Sequence, residues 1–218
     1  MLANEIIELK KQLIEYAGLI EQMIDKSITG LLKKDVDLLD EVMEKLEPRA
    51  NDFEIELEQT CIILIAKFQP AAKDLRTIIM TAQMNNDLER VGDLAVNIAE
   101  SALRLLTKPP VKPFIDIPNM AGLTIRMLKD AIDSFANENT RLAKSVCERD
   151  EAVDNLRDQI YRELITYMIS NPSTIEAALE IMRISTSLER VADLSTNFCE
   201  DVIFIVEGRI IKHHKDEI

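Results

Sequence analysis

A chain of 218 residues, 47% of them hydrophobic, can bury a sizeable core as one large domain or two small ones. Its 5 glycines, 4% aromatic content and absence of tryptophan argue against a sheet-rich fold, which needs β-branched and aromatic strands and frequent turns. A formal net charge of −13 repels phosphate backbones, which excludes nucleic acid as an expected partner and suits cations or a basic protein surface.

The chain opens on MLANEIIELKKQ, charged and amphipathic rather than leader-like. Leu2, Ile6, Leu9, Leu13, Tyr16 and Ile20 recur at three- and four-residue spacing, which predicts an amphipathic helix over 2–33. Asp35 is the candidate N-cap of a second helix over 36–68. Pro48 lies inside it and has no N–H for the Glu44 carbonyl, so a kink or restart is expected near 44–48. Pro70, in FQPAAKD, separates this helix from a third over 71–106.

The stretch TKPPVKPFIDIP holds four of the 7 prolines and is read as a linker, 107–117. Three further helices follow over 118–136, 138–170 and 173–207, with Asn137 or Asn139 as a cap and Pro172 at the last boundary. A tail, 209–218, carries the chain's 2 histidines, His213 and His214, and is read as a frayed end. The longest apolar runs, 61–66 and 202–206, fall far short of the ~20 residues of a membrane span. A cytoplasmic protein without membrane insertion is therefore expected. Cys61, Cys147 and Cys199 form no CxxC pair and read as small core residues of a reducing compartment.

The sequence repeats itself. DLERVGDLAVNIAE begins at Asp87 and SLERVADLSTNFCE at Ser187, with 8 of 14 positions identical. Asp35 pairs with Asn137 and Pro70 with Pro172 at an offset of 102, and Glu89 with Glu189 at 100. The expected fold is all-α: two tandem, sequence-related three-helix bundles, 1–106 and 118–208.

At about 100° per residue, Glu89, Asp93, Asn97 and Glu100 form a stripe opposite the apolar seam of the third helix, and Glu189, Asp193, Asn197 and Glu200 repeat it on the sixth. The second helix carries Glu44, Glu47, Asn51, Glu54 and Glu58 on one face; the fifth carries Asp150, Asp154 and Asp158. Set side by side, such stripes would offer oxygen ligands to Mg, Mn, Ca or Fe, with Zn also compatible. The plainer reading is a solvated acidic face balanced by Arg90, Arg157 and Arg190. The chain has no Gly-rich phosphate loop, no HExxH, no GxSxG and no Glu-x-x-His, so a His-based general base within the bundles and a ferritin-like di-iron site are excluded.

LERVGDLAVNIAE and LERVADLSTNFCE, with FQPAAKDLR, ERDEAVDNL and RELITYMISNPSTIEAAL, resemble the duplicated signature of the PhoU family over nearly the whole chain. The resemblance implies two three-helix bundles and, as in some members, surface clusters of divalent or trivalent metal ions on Glu/Asp-xxx-Asp motifs. The matching positions are Glu47 and Asn51 with Glu89, Asp93, Asn97 and Glu100, and Asp150 and Asp154 with Glu189, Asp193, Asn197 and Glu200. Asn51 stands where the family usually has Asp, Pro48 interrupts that motif, Leu94 and Leu194 stand where many members have His, and Ala192 replaces a usual Gly. The second-half site is therefore expected to be the stronger.

The resemblance further implies a non-enzymatic cytoplasmic regulator, peripheral to the membrane only through its partners. It would link the cytoplasmic subunits of a phosphate ABC transporter to a sensor histidine kinase, restraining uptake and the starvation response when phosphate is plentiful. Monomer and homodimer both remain open as the functional form. Two other readings compete: a carboxylate-bridged metalloenzyme, against which the outward-facing stripes argue, and a purely structural acidic bundle.

Overall fold

The computed structural model describes residues 1–209; the histidine-bearing tail beyond lies outside the described residues. Eight α-helical segments form six rods: α1 (Leu2–Lys33), α2 (Val36–Glu41) running through a π-turn (Val42–Leu46) into α3 (Glu47–Phe68), α4 (Ala72–Leu106), α5 (Asp116–Ala136), α6 (Thr140–Cys147) followed after a turn by α7 (Asp150–Ser170), and α8 (Ile175–Glu207). No strand occurs among the described residues. The all-α duplication is as the sequence predicts.

The local chemistry explains most boundaries. Asp35 caps α2, its Oδ1 accepting the Leu38 N–H at 3.2 Å. In the second half the cap is Asn139 rather than Asn137, accepting from Leu142 N–H at 3.1 Å. The expected disturbance at Pro48 takes the form of the π-turn, in which the Glu47 N–H reaches back five residues to the Val42 carbonyl. The extra residue in that turn lets the rod pass the missing proline donor without breaking. The fifth predicted helix differs: it breaks at Glu148 and Arg149. Arg149 Nη2 donates to Asp130 on α5 at 2.7 Å and its Nε to the Ser145 carbonyl at 3.2 Å. Each half thus interrupts its second rod immediately before the acidic motif, at Glu47 and at Asp150.

The two halves share one apolar core. α1, α3 and α4 pack together, as do α5, α7 and α8, and α4 and α8 lie against each other at the centre. Tyr16, Leu13, Ile20 and Met23 of α1, Leu88 and Ile98 of α4, and Phe135, Leu188 and Phe198 of the second half are all buried. The Ser27 hydroxyl donates to the Ala95 carbonyl at 2.9 Å, stitching α1 to α4. The Pro-rich segment is packed as well: Val111 and Phe114 lean on the core. The ammonium of Lys112, 6% exposed, bonds Asp116 at 2.6 Å and also Glu163 of α7.

Glu138, in the turn after α5, bonds Lys10 of α1 at 2.8 Å and Lys73 of α4 at 2.5 Å, tying the halves at one corner. The two lysines hold its carboxyl below the usual range. A depressed folded pKa means the clamp stabilises above the ordinary carboxylate range and its contribution is lost as pH falls through the lower folded value. Glu138→Gln is expected to cost about 1 kcal/mol at neutral pH in urea melts, and the gap to wild type should close under acid. A gap independent of pH would show that the ion pairs contribute nothing.

Candidate functional site

The acidic stripes lie where helical periodicity puts them, on the outer faces of each half, but not uniformly in water. Asn51, Asp93, Asn97 and Glu100 are exposed, while Glu47, Glu54 and Glu89 sit half-buried in the crease between α3 and α4. Burial first, and then Asp93 and Glu100, push the Glu47 carboxyl up; burial, then Asp93 and Glu54, do the same to Glu89. The carboxylates of the two neighbouring helices are therefore close enough to repel one another. Glu44 and Glu58 are exposed.

Beneath this crease lies Tyr16, fully buried and stacked on Phe53 with ring centroids 5.6 Å apart. Its hydroxyl has no hydrogen-bond partner, an unusual state for a buried polar group. Burial, then Glu54, Glu89 and Asp93, push its pKa far above the ordinary phenol value. Arg90 opposes the rise at Glu89 only from a distance: its guanidinium turns to Asp87 on its own helix, at 3.3 Å.

The second half repeats the arrangement with one difference. Asp150, Asp154, Glu189, Asn197 and Glu200 are half-buried and Asp193 exposed. Asp150 and Glu151 occupy the first turn of α7, where the helix dipole favours negative charge. Burial, followed by Asp193, raises the Glu189 carboxyl, but Arg157 opposes the rise. Arg157 Nη1 donates to Glu189 at 2.9 Å and Nη2 to Asp158 at 2.9 Å. The second crease thus has a guanidinium paired directly to its stripe glutamate, whereas in the first Arg90 acts on Glu89 without an ion pair to it. The Cys147 and Cys199 thiols, 52 residues apart in sequence, lie as neighbours at the end of this stripe, a juxtaposition that sequence spacing does not reveal.

The donors are all carboxylate and amide oxygens, which fit hard or intermediate cations. Among the described residues no three His, Cys, Asp or Glu side chains converge as a preformed ligand group. A cation would draw the stripes together, replacing carboxylate repulsion with attraction. A different site escaped the sequence reading altogether: a groove of about 520 Å³ between α4 and α8, bordered by Arg104, Arg183 and Arg190. Its residues come from helices far apart in sequence, so no local periodicity signals it.

The PhoU domain matches this chain twice, over residues 13–102 and 117–202. The phosphate-specific transport system accessory protein PhoU homolog of Aquifex aeolicus is 40% identical over 212 residues, covering 97% of this chain and 96% of its own. Among solved structures, PhoU from Pseudomonas aeruginosa superposes with a TM-score of 0.91 at 32% identity, covering 96% of this chain and 100% of that one. The phosphate transport system regulatory protein PhoU from Streptococcus pneumoniae does so with a TM-score of 0.89 at 25% identity, covering 97% and 100%.

Proposed function

The chain belongs to the PhoU family, and from that premise we propose that it is a cytoplasmic, non-enzymatic regulator of phosphate uptake and of phosphate-starvation signalling. It acts as an adaptor between the cytoplasmic subunits of a phosphate ABC transporter and a sensor histidine kinase, and restrains both outputs when phosphate is plentiful. The observation that carries this reading is the near full-length likeness to a protein named as an accessory of phosphate-specific transport. The acidic outer faces fit it, because they offer complementary surfaces to basic cytoplasmic segments. No helix among the described residues is long and apolar enough to cross a membrane. Deletion of the gene in its source organism should switch on phosphate-starvation genes in high phosphate. Unchanged repression in the deletion strain would overturn the proposal.

We further propose that both creases bind divalent or trivalent cations. Glu47, Asn51, Glu89, Asp93, Asn97 and Glu100 would hold one site. Asp150, Asp154, Glu189, Asp193, Asn197 and Glu200 would hold the other. A bound cation would supply positive charge that neutralises the stripes. Replacing Asp150, Asp154, Glu189 and Asp193 by Ala should abolish most cation binding in the second half, read by elemental analysis of protein prepared without a histidine tag; unchanged content would reject that site. Arg157 competes there for Glu189, so Arg157→Gln should tighten cation binding in the second half severalfold by calorimetry, whereas a weakened affinity would show that Arg157 instead positions the ligands.

A further inference from the structure

α4 and α8 pack antiparallel: Gln83 meets Asp201 at 3.3 Å, Arg104 meets Glu180 at 3.0 Å and Lys108 meets Glu176 at 2.5 Å. The 100-residue repeat that relates Glu89 to Glu189 makes the two ends of this seam counterparts of each other. Gln83 corresponds to Arg183, Asp87 to Ser187, Asp201 to Ser101 and Phe204 to Arg104. One end is closed by its own side chains. Gln83 donates to Asp201, Asp87 is buried, and Arg76 lies over the Phe204 ring at 5.9 Å with a bond to the Ile205 carbonyl at 3.2 Å.

The other end is the open groove. These four exchanges add four positive charges, offset by Glu180 where the closed end has Met80 and by Glu176 where it has Arg76, with Lys108 standing where it has Gly208. Ser101 and Ser187, 1% and 7% exposed, form its floor, and Tyr161 and Thr186, whose hydroxyls are 2.6 Å apart, stand on its wall. The arginines are held ready. Glu180, 7% exposed, accepts from Arg104 Nε at 3.0 Å and from Arg183 Nη1 at 3.1 Å, setting the two guanidiniums side by side. Arg104 also reaches Glu100 at 3.4 Å and the Ser101 hydroxyl at 3.3 Å. Arg190 borders the same groove and makes no ion pair among the described residues. Leu94, Leu179 and Met182 supply an apolar side.

Guanidiniums with hydroxyls are the donor set for a phosphoryl group. The volume of about 520 Å³ and the apolar side suit a ligand of nucleotide size rather than a bare oxyanion. We propose that this groove binds a phosphorylated small molecule, its phosphoryl oxygens on Arg183, Arg190 and Arg104 and its organic part against Leu94, Leu179 and Met182. The site needs neither a metal nor a protein partner and stands apart from the adaptor reading.

The test is calorimetry on the full chain in chelator-containing buffer, so that no cation in the acidic creases can recruit phosphate. ADP, adenosine and inorganic phosphate are the probes. ADP should bind, more weakly as salt rises, and the Arg183→Gln, Arg190→Gln double variant should lose affinity about tenfold or more. Both positions are exposed and Gln keeps helix propensity, so unchanged circular dichroism is expected. Inorganic phosphate should bind more weakly than ADP, and phosphate binding as tightly as ADP would overturn the assignment of the apolar side to an organic part. Adenosine binding as tightly as ADP, no binding of ADP or phosphate at millimolar concentration, or full affinity in the double variant would each overturn the proposal.

Discussion

A variant carrying Glu89→Gln, Asp93→Asn, Glu189→Gln and Asp193→Asn should remain folded and associate about tenfold or more slowly with the proposed transporter and kinase partners. The fold should survive because the outward stripes are not what holds the helices together. The apolar seams below them, with Val91, Leu94, Ala95 and Ile98 on α4 and Val191, Ala192 and Phe198 on α8, are buried and untouched. Ionisation of Glu89 and Glu189 is moreover disfavoured in the folded state, by burial and by their neighbours Asp93 and Asp193. Removing those charges relieves repulsion. The ion pair of Arg157 with Glu189 is lost, but Arg157 keeps Asp158 at 2.9 Å. The loss in association should fall mainly on the on-rate, because complementary charge steers encounter, and it should shrink as salt rises, because the Debye length is only about 8 Å at physiological ionic strength. A biosensor measurement against the transporter's cytoplasmic subunit and the kinase's cytoplasmic region reads both effects. Full-strength binding that ignores salt would remove the acidic faces from the recognition surface and direct attention elsewhere, for instance to Ile62, Ile63 and Ile169, which are exposed on α3 and α7.

The helical rods were legible because apolar spacing and proline placement are local signals. Asp35 could be read as a cap from its position alone, and Pro48 announced a disturbance, although not that a π-turn at Val42–Leu46 would absorb it. The break at Glu148 and Arg149 was not legible. Residues 138–170 contain no proline or glycine, and what favours the break is tertiary, the reach of Arg149 to Asp130 across α5. The stripes were legible as faces of single helices. Which members would be half-buried was not, because that depends on how closely α3 approaches α4 and α7 approaches α8. Tyr16 illustrates the limit: its position in the apolar pattern of α1 marks it as core, and nothing in that pattern says that its hydroxyl ends without a partner under Glu54 and Glu89. The arginine groove was hidden for a related reason. Its chemistry becomes visible only when the two repeats are compared position by position across an antiparallel seam. There Ser101 and Ser187 stand where the other end has Asp201 and Asp87.

Gly30→Val is expected to be the most damaging single substitution for the first crease. Gly30 lies in the last turns of α1, and its carbonyl accepts the N–H groups of Lys34 and, at 2.9 Å, Asp35. The chain then folds back so tightly that a Cβ at position 30 would meet Leu39 Cδ2 at 2.6 Å, its Cγ at 2.7 Å and the Asp35 carbonyl oxygen at 3.1 Å. Leu39 is fully buried and Asp35 caps α2, so neither can yield without moving the start of the second rod. Glycine inside a helix costs about 1 kcal/mol relative to alanine, a cost the close approach explains. Overpacking of this kind costs about 1–3 kcal/mol, and the two methyl groups of valine place the effect at about 3 kcal/mol, with Gly30→Ala smaller. Displacing α2 shifts α3 along α4, which separates Glu47 and Glu54 from Asp93 and Glu89. The proposed cation binding should therefore be lost from the first crease before the second. Because α4 and α8 share one core, urea unfolding followed by circular dichroism should still show a single transition, moved to lower denaturant with its slope unchanged. A stability equal to wild type would refute the steric argument, and two separated transitions would show that the repeats unfold as independent units despite their shared seam.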